Sequence, residues 1–313
     1  MMNRENIIID TDIGDDIDDA LALAFALNCP EVNILGVTTV FGNTKAKAKI
    51  ATNLLDTAGF KQIPVYAGCG QPLNQPIDET KLPCQYIKET MGEIDLNPVN
   101  AVDFIIDSVM HSDDSLTLVT IGPLTNVAVA LLKEPQLKQK LNKIVMMGGS
   151  YYFHYVEWNI QCDPEAAHIV FQSNIPVKAI GLDVTKQCLM NADQLKRLES
   201  EKASPLVRLL WQLIRQWQIE TKDRILPILH DALAVYGIFG GDLLRFEREA
   251  VYVELTGTVT RGLTFNRTDR NREDQLVRGA EELASRSVIQ VAKEVKSEAF
   301  IDFFLERLLS KQI

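Results

Sequence analysis

The fold is decided by residues 7–23, which read IIIDTDIGDDIDDALAL. The three isoleucines form a short, fully apolar run, which is typical of a parallel strand that is buried on both faces. Six aspartates occupy the next ten positions, and the alanines and leucines that follow them predict a helix over residues 18–27. A strand, an acidic turn and a helix in this order predict the first β–α unit of a parallel sheet.

The same alternation continues along the chain. Further strands are predicted at residues 32–40, 116–121, 143–147, 177–182 and 250–255. Helices are predicted at residues 45–58, 98–111, 125–132, 163–171, 204–221, 231–239 and 288–309. We therefore expect an α/β fold with one doubly wound, mostly parallel, Rossmann-like sheet and helices on both of its faces. Residues 1–313 are expected to form a single domain, with the proline-rich residues 71–83 as a surface excursion.

Composition narrows the classes of function. The chain has 313 residues, of which 46% are hydrophobic and 24% charged, and its net charge is −10. An acidic protein of this kind is disfavoured as a partner of nucleic acids or anionic membranes. The five cysteines are odd in number and form no CxxC pair, which indicates reduced thiols. We found neither a signal peptide nor an apolar run of membrane-spanning length, so we expect a cytoplasmic protein without a membrane segment.

The aspartates of residues 10–19 predict a metal site. A helix N-terminus stabilises acidic residues by about 0.3–1 kcal/mol each, which accounts for about two of the six. The others repel one another unless a cation neutralises them. Oxygen ligands without a nearby histidine or cysteine favour Ca²⁺ or Mg²⁺. An EF-hand is excluded, because Gly14 is fifth from Asp10 and Leu21 is twelfth.

Polar residues also follow the other predicted strands, where ligands bind in such sheets. Asn43 either caps the next helix or contacts a ligand. The turn that begins at Ile121 could direct a carbonyl towards an ion. Glu157 and Asn159 follow a Gly-Gly turn, and His230 and Asp231 begin an apolar helix. The aromatic residues 150–156 suggest a lid over the ligand, on which His154 is a further candidate.

Taken together, these segments resemble the calcium-dependent nucleoside N-ribohydrolases of the inosine-uridine-preferring type. The resemblance covers residues 6 to about 269. It rests on Asp10-x-Asp12 with Asp18-Asp19-Ala20, Thr39-x-x-Gly42-Asn43, Gly122-Pro123-Leu124-Thr125-Asn126, Met147-Gly148-Gly149 with Glu157-Trp158-Asn159, and His230-Asp231. The aspartate cluster and the His-Asp pair are specific in combination.

The resemblance implies a site and a reaction. Its Ca²⁺ ligands are the carboxylates of Asp12, Asp19 and Asp231 and the carbonyl of Ile121. Asp12 is also the general base for the attacking water, and His230 lies on the side of the departing base. The residues implied to bind the ribose are Asp18, Asn43, Met147, Glu157 and Asn159. The implied ligand is a small ribonucleoside, and we expect a homodimer or homotetramer.

Two departures from the family leave questions open. Two residues are inserted between Gly14 and Asp18, so Asp15 and Asp16 have no implied role and are expected to be solvated or to lie behind the ligands. The short 150–156 segment lacks the asparagine that many members use for the 5′-hydroxyl, so a different N-riboside stays open as substrate. An Asp-x-Asp glycosyl- or phosphoryl-transfer enzyme and a nucleoside-binding protein without catalysis also stay open.

Overall fold

The computed structural model describes residues 4–112, 115–153, 155–201, 204–222, 226–267 and 288–310. Its strands are β1 Glu5–Thr11, β2 Val32–Thr39, β3 Val65–Ala67, β4 Leu116–Thr120, β5 Lys143–Met147, β6 Val177–Ile180, β7 Leu244–Val253, β8 Thr264–Arg267 and β9 Val288–Val295. The helices are α1 Asp18–Leu27, α2 Thr44–Thr57, α3 Lys88–Met91, α4 Ala101–His111, α5 Thr125–Lys133, α6 Leu137–Lys140, α7 Trp158–Cys162, α8 Pro164–Phe171, α9 Leu182–Thr185, α10 Ala192–Ser200, α11 Pro205–Glu220, α12 His230–Phe239 and α13 Ser297–Leu309.

The strands form one sheet in the order β3-β2-β1-β4-β5-β6-β9-β7-β8. The six strands from β3 to β6 are parallel, and the strand order reverses between β1 and β4. The isoleucines at 7, 8 and 9 are fully buried in β1, and they alternate between two hydrophobic clusters on opposite faces of the sheet. Helices α1, α11, α12 and α13 pack on one face, and α4, α5 and α8 on the other. The predicted doubly wound α/β fold is confirmed.

The far edge of the sheet differs from the prediction. The helix predicted over residues 288–309 is wrong for its first part, because β9 occupies Val288–Val295 and α13 begins at Ser297. Strand β9 is parallel to β6 and antiparallel to β7, which begins at Leu244 instead of residue 250. Residues of β9 alternate between exposed and buried at its start, as expected of a strand with one solvated face. No helix among the described residues is long and apolar enough to cross a bilayer.

Helix α12 is held at both ends. All but two of its ten residues are buried, so it packs as a central apolar rod behind β4, β5 and β6. At its C-terminal end, the carbonyls of Gly237 and Ile238 accept hydrogen bonds from Lys178 at 3.1 Å and Lys143 at 3.2 Å. Cations at a helix C-terminus satisfy carbonyls that lack an intrahelical partner. The N-terminal residues of α12 are therefore fixed at the opposite, carboxyl edge of the sheet.

Residues 71–85 form a loop that crosses this carboxyl edge, and we call it the crossing loop. At its start, the backbone N–H of Leu73 donates to the carboxylate of Asp163 at 2.9 Å. At its end, the N–H of Gln85 donates to the carbonyl of Gly14 at 3.0 Å. The predicted surface excursion is thus anchored on both sides of the strand ends.

Candidate active site

A cavity of about 630 Å³ opens at the carboxyl edge, beneath the crossing loop. Its floor is built from the ends of β1, β4 and β5 and from the N-termini of α1 and α12. Ten of the residues proposed from the sequence line this cavity. They are Asp12, Asp18, Asp19, Asn43, Ile121, Met147, Glu157, Asn159, His230 and Asp231.

Three carboxylates meet at the floor. Oxygen atoms of Asp18, Asp19 and Asp231 lie within 4.8 Å of one another, and all three residues are buried. Burial, followed by repulsion from neighbouring aspartates, raises the pKa of each of these carboxyls well above its usual range. A divalent cation would remove this repulsion, because it neutralises the charges that burial disfavours. The floor is therefore a group of side chains that could hold a metal ion.

Asp12 lies beside this group and is positioned by its neighbours. A Cβ atom at Gly122 would come within 2.8 Å of the Asp12 backbone nitrogen and 2.9 Å of its Oδ1, so only glycine allows this approach. The buried ammonium of Lys47 donates to the Asp12 carbonyl. Burial raises the pKa of Asp12 to about 6, and the charge of Lys47 opposes that increase. Asp12 is therefore ionised above about pH 6.

The two inserted aspartates have local partners. The carboxylate of Asp15 lies 3.2 Å from the Lys47 ammonium, and its side chain is 60% exposed. Asp16 accepts the backbone N–H of Ile17 at 2.6 Å, just before α1 begins. Both lie at the mouth of the cavity and outside the buried carboxylate group, in line with the solvated position that the sequence predicts.

Thr11 orients one of the floor carboxylates. Its hydroxyl donates to Asp19 Oδ1 at 2.5 Å and accepts the backbone N–H of Ile13 at 3.1 Å. Because the hydroxyl oxygen accepts the N–H of Ile13, the hydroxyl proton remains available to be donated to Asp19. An oriented carboxylate presents a defined oxygen to a ligand.

Two asparagines, Asn43 and Asn159, form the polar wall above the floor, and Asn43 also caps helix α2. The side-chain oxygen of Asn43 caps α2 by accepting the N–H of Ala46 at 3.1 Å, which leaves its amide N–H groups for the cavity. Asn159 donates to the carbonyl of Ile121 at 3.1 Å. Asn43 is thus both a cap and a lining residue, so its role as a cap leaves it able to contact a ligand.

Two further buried carboxyls lie close to the floor. Glu157 accepts the backbone N–H groups of Gly149, Asn159 and Ile160, yet burial still raises its pKa to about 7. Asp10 accepts hydrogen bonds from Thr38 and Asn126. Burial raises its pKa to about 7 as well, and its Oδ2 atom has no hydrogen-bond partner among the described residues. Both carboxyls are therefore partly protonated near neutral pH.

His230 lies on the wall formed by α9, α11 and α12. Its Nδ1 atom is 2.7 Å from the hydroxyl oxygen of Thr185. Burial and the nearby Lys186 lower the pKa of its imidazole to about 4, so the ring is neutral at physiological pH. Trp217 and Leu182 line the same wall.

In the part of the 150–156 segment that the structure describes, no residue lines the cavity, and closure of the predicted aromatic lid over a ligand stays a prediction. Asp183 accepts the backbone N–H groups of Tyr151, Tyr152 and Phe153 at 2.7, 3.0 and 3.1 Å. The Tyr151 side chain is buried away from the cavity, and its hydroxyl donates to the Gly148 carbonyl. This segment is therefore fixed beside the cavity without lining it. His154 lies outside the described residues.

The residues that the sequence did not indicate belong to the upper walls. They are Phe41, Lys47, Ile77, Asp78, Lys81, Pro83, Trp158, Leu182 and Trp217. The crossing loop supplies four of them, and the prolines of residues 71–83 were the available signal for an ordered excursion. Trp217 lies within the amphipathic pattern of α11, which gives no signal that distinguishes it from a core residue.

The fold and the site define a class of protein: an α/β protein with a doubly wound sheet and a cavity that has a carboxylate floor and amide side chains in its walls. Comparison with known proteins makes this specific. The chain belongs to the inosine-uridine preferring nucleoside hydrolase family, whose family model matches residues 7–302. It is a hydrolase of the N-glycosidic bond of ribonucleosides, so the predicted family and reaction class are confirmed.

Individual relatives match this chain over most of their length. The chain is 35% identical to an inosine-uridine preferring nucleoside hydrolase of Crithidia fasciculata, over 83% of this chain and 87% of that protein. It is 30% identical to uridine nucleosidase 1 of Arabidopsis thaliana, over 98% and 94%. A solved purine-preferring ribonucleoside hydrolase from Gardnerella vaginalis superposes with a TM-score of 0.79 at 30% identity, covering 97% of this chain and 98% of that one.

Proposed function

We propose that this hydrolase uses Ca²⁺, held by Asp12, Asp19, Asp231 and the carbonyl of Ile121, to cleave inosine- and uridine-type ribonucleosides into ribose and free base. One observation carries the proposal: the buried carboxylates of Asp18, Asp19 and Asp231, with oxygens within 4.8 Å of one another, form the floor of a cavity that Asp12 also lines. An oxygen-only donor set fits a hard divalent cation, and its raised pKa values reflect charges that such a cation would neutralise.

Asp12 fits the part of general base. Bound beside it, the cation would supply a water of lowered pKa and would bind two neighbouring hydroxyls of the sugar. Asp12 is ionised above about pH 6, so it can take a proton from the attacking water near neutrality. Lys47 donates a hydrogen bond to the Asp12 carbonyl and so supports this position of the backbone.

The other side chains of the cavity orient the sugar and stabilise its developing charge. Asp18 and Glu157 offer carboxyl oxygens to ribose hydroxyls, while Asn43 offers amide N–H groups that no described residue uses. Asn159 and Met147 complete this wall. Cleavage of an N-glycosidic bond passes through an oxocarbenium-like sugar, and surrounding carboxylates favour its positive charge. We propose that His230 lies beside the departing base.

The expectations from the sequence about domain organisation, oligomeric state and location are part of this proposal. A single domain over residues 1–313 and a homodimer or homotetramer stay predictions. The five cysteines are free, which suits a reducing compartment and supports a cytoplasmic location. The relatives carry names that specify uridine, inosine-uridine or purine preference, so both base types belong in the test.

The proposal is tested by free ribose released from inosine and from uridine, with protein treated with a chelator and then given Ca²⁺. We expect turnover to disappear on chelation and to return with Ca²⁺. Asp12→Asn should lower kcat by about 10²–10⁴-fold, the usual contribution of a general base. Asp15→Asn is the matched control, because this carboxylate is exposed at the mouth and should cost little. Full turnover without metal, or equal losses in the two variants, would contradict the assignment.

A further inference from the structure

Thr185 and His230 form an isolated pair in the cavity wall. Thr185 ends α9 and is fully buried, and His230 begins α12. Their contact joins Thr185 Oγ1 and His230 Nδ1 at 2.7 Å. The second ring nitrogen, Nε2, makes no hydrogen bond to any described residue, and His230 lines the cavity.

The environment of Thr185 fixes the direction of this hydrogen bond. Two helical threonines of the chain, Thr52 and Thr57, donate to the carbonyl four residues earlier at 2.9 and 2.7 Å. Thr185 makes no such bond, and within the described part of the chain its hydroxyl contacts only His230 Nδ1. A buried hydroxyl whose proton has no acceptor costs about 1–3 kcal/mol. Thr185 therefore donates, and Nδ1 accepts.

We infer that Thr185 is a positioning residue that holds His230 in the tautomer with its proton on Nε2, so that this N–H donates a hydrogen bond to the departing base. The inference rests on the proposed function. As the C–N bond breaks, its electron pair goes to the base, and negative charge grows on the ring nitrogens and carbonyl oxygens. An N–H directed at that charge lowers the barrier, whereas the other tautomer would direct a lone pair at it.

Nitrogen NMR determines the tautomer of His230 directly and does not depend on catalytic turnover. The chain has four histidines, and comparison with His230→Gln identifies the signals of His230 in protein labelled with ¹⁵N-histidine. At pH 7.5 the wild type and Thr185→Ser should show a pyridine-type Nδ1 and a pyrrole-type Nε2. Thr185→Val removes the donor and should shift the ring towards the opposite tautomer. Thr185→Ala also lacks the hydroxyl and serves if the valine variant does not fold.

Kinetics then test the link to the leaving group. Thr185→Val should lower kcat for inosine and uridine by about 10- to 100-fold, the usual effect of losing a partner that fixes a histidine. It should leave hydrolysis of p-nitrophenyl riboside nearly unchanged, because nitrophenolate departs without help. Thr185→Ser should restore both rates.

Three results would overturn the inference. They are a wild-type ring with its proton on Nδ1 or on both nitrogens, a tautomer unchanged by loss of the hydroxyl, and equal losses on the nucleosides and p-nitrophenyl riboside. Failure of the wild type to release ribose from any of these ribosides would instead overturn the proposed function, while the NMR result would still decide the tautomer.

Discussion

Metal-free protein should lose stability as the pH rises from 6 to 8. Burial raises the pKa values of Asp10 and Glu157 from 3.8 and 4.5 to about 7 in the folded protein. At pH 6 both groups are ionised in the unfolded chain but mostly protonated in the folded protein. The folded state therefore binds more protons over this interval, and its free energy of unfolding falls as the pH increases.

The size of the effect follows from the pKa values. A group with a pKa of 7 loses about one proton between pH 6 and pH 8, which lowers the free energy of unfolding by about 1.4 kcal/mol. Two such groups give about 2.7 kcal/mol. A chain of 313 residues has an unfolding entropy of about 0.66 kcal/mol/K, so the melting temperature should fall by about 4 °C.

Other buried groups do not reverse the sign of this change in the free energy of unfolding. The pKa of His230 is lowered to about 4, so this group gains about 0.8 kcal/mol of stability over the same interval. Asp12, with a pKa of about 6, contributes about 0.4 kcal/mol in the destabilising direction. The raised pKa values of Asp18, Asp19 and Asp231 add further to the loss.

Thermal unfolding in the presence of a chelator, followed by circular dichroism at pH 6, 7 and 8, measures this shift. Asp10→Asn and Glu157→Gln mimic the protonated groups and should each reduce the shift by about 1.4 kcal/mol, or about 2 °C. Asp242→Asn is the control, because this exposed carboxylate has a lowered pKa and is ionised throughout. A melting temperature that stays constant or rises with pH, or a double variant that keeps the full shift, would refute the reasoning.

Three further predictions concern the site and its surroundings. Calcium at a hundred times its dissociation constant should stabilise the wild type by about 2.7 kcal/mol, or about 4 °C, and Asp231→Asn should abolish this shift in a thermal melt. Gly122→Ala should displace Asp12, lowering calcium affinity measured by calorimetry and costing about 1–3 kcal/mol in urea unfolding. Asp183→Ala should cost about 3 kcal/mol by leaving the N–H groups of residues 151–153 unpaired; because these lie outside the cavity, a large change in KM would contradict that placement.

The floor of the site could be predicted from the sequence because a parallel sheet collects the ends of its strands. Asp12, Ile121 and Met147 are distant along the chain, yet each stands at or just beyond the carboxyl end of a predicted strand. Likewise, Asp19 and Asp231 stand at the starts of helices that the hydrophobic pattern predicts. Local patterns and the rule for ligand sites in such sheets were therefore enough to bring these residues to one edge, whereas their roles as ligands were implied only by the resemblance to the family.

The upper walls could not be predicted, because they depend on contacts between distant residues. The crossing loop is held by a hydrogen bond from Leu73 to Asp163, 90 positions later, which no local pattern reveals. Asp183 shows the same difficulty, because its hydrogen bonds to the backbone of residues 151–153 join segments that are distant along the chain. At residues 288–295 the apolar pattern predicted a helix, but pairing with β6 on one side and β7 on the other makes this segment a strand, and a local pattern does not reveal such pairing.

The depth of the carboxylate floor bears on the order in which the two products leave the cavity. Asp18, Asp19 and Asp231 are at most 6% exposed, whereas Trp158 at the rim is 62% exposed. A nucleoside whose hydroxyls contact the floor has its ribose innermost and its base nearest the solvent. With the binding mode of the proposed function, we expect the base to diffuse away first and the sugar to stay beneath the crossing loop until its hydroxyls exchange with water. We therefore predict that ribose is the last product to leave and that it competes with the next nucleoside for the empty enzyme.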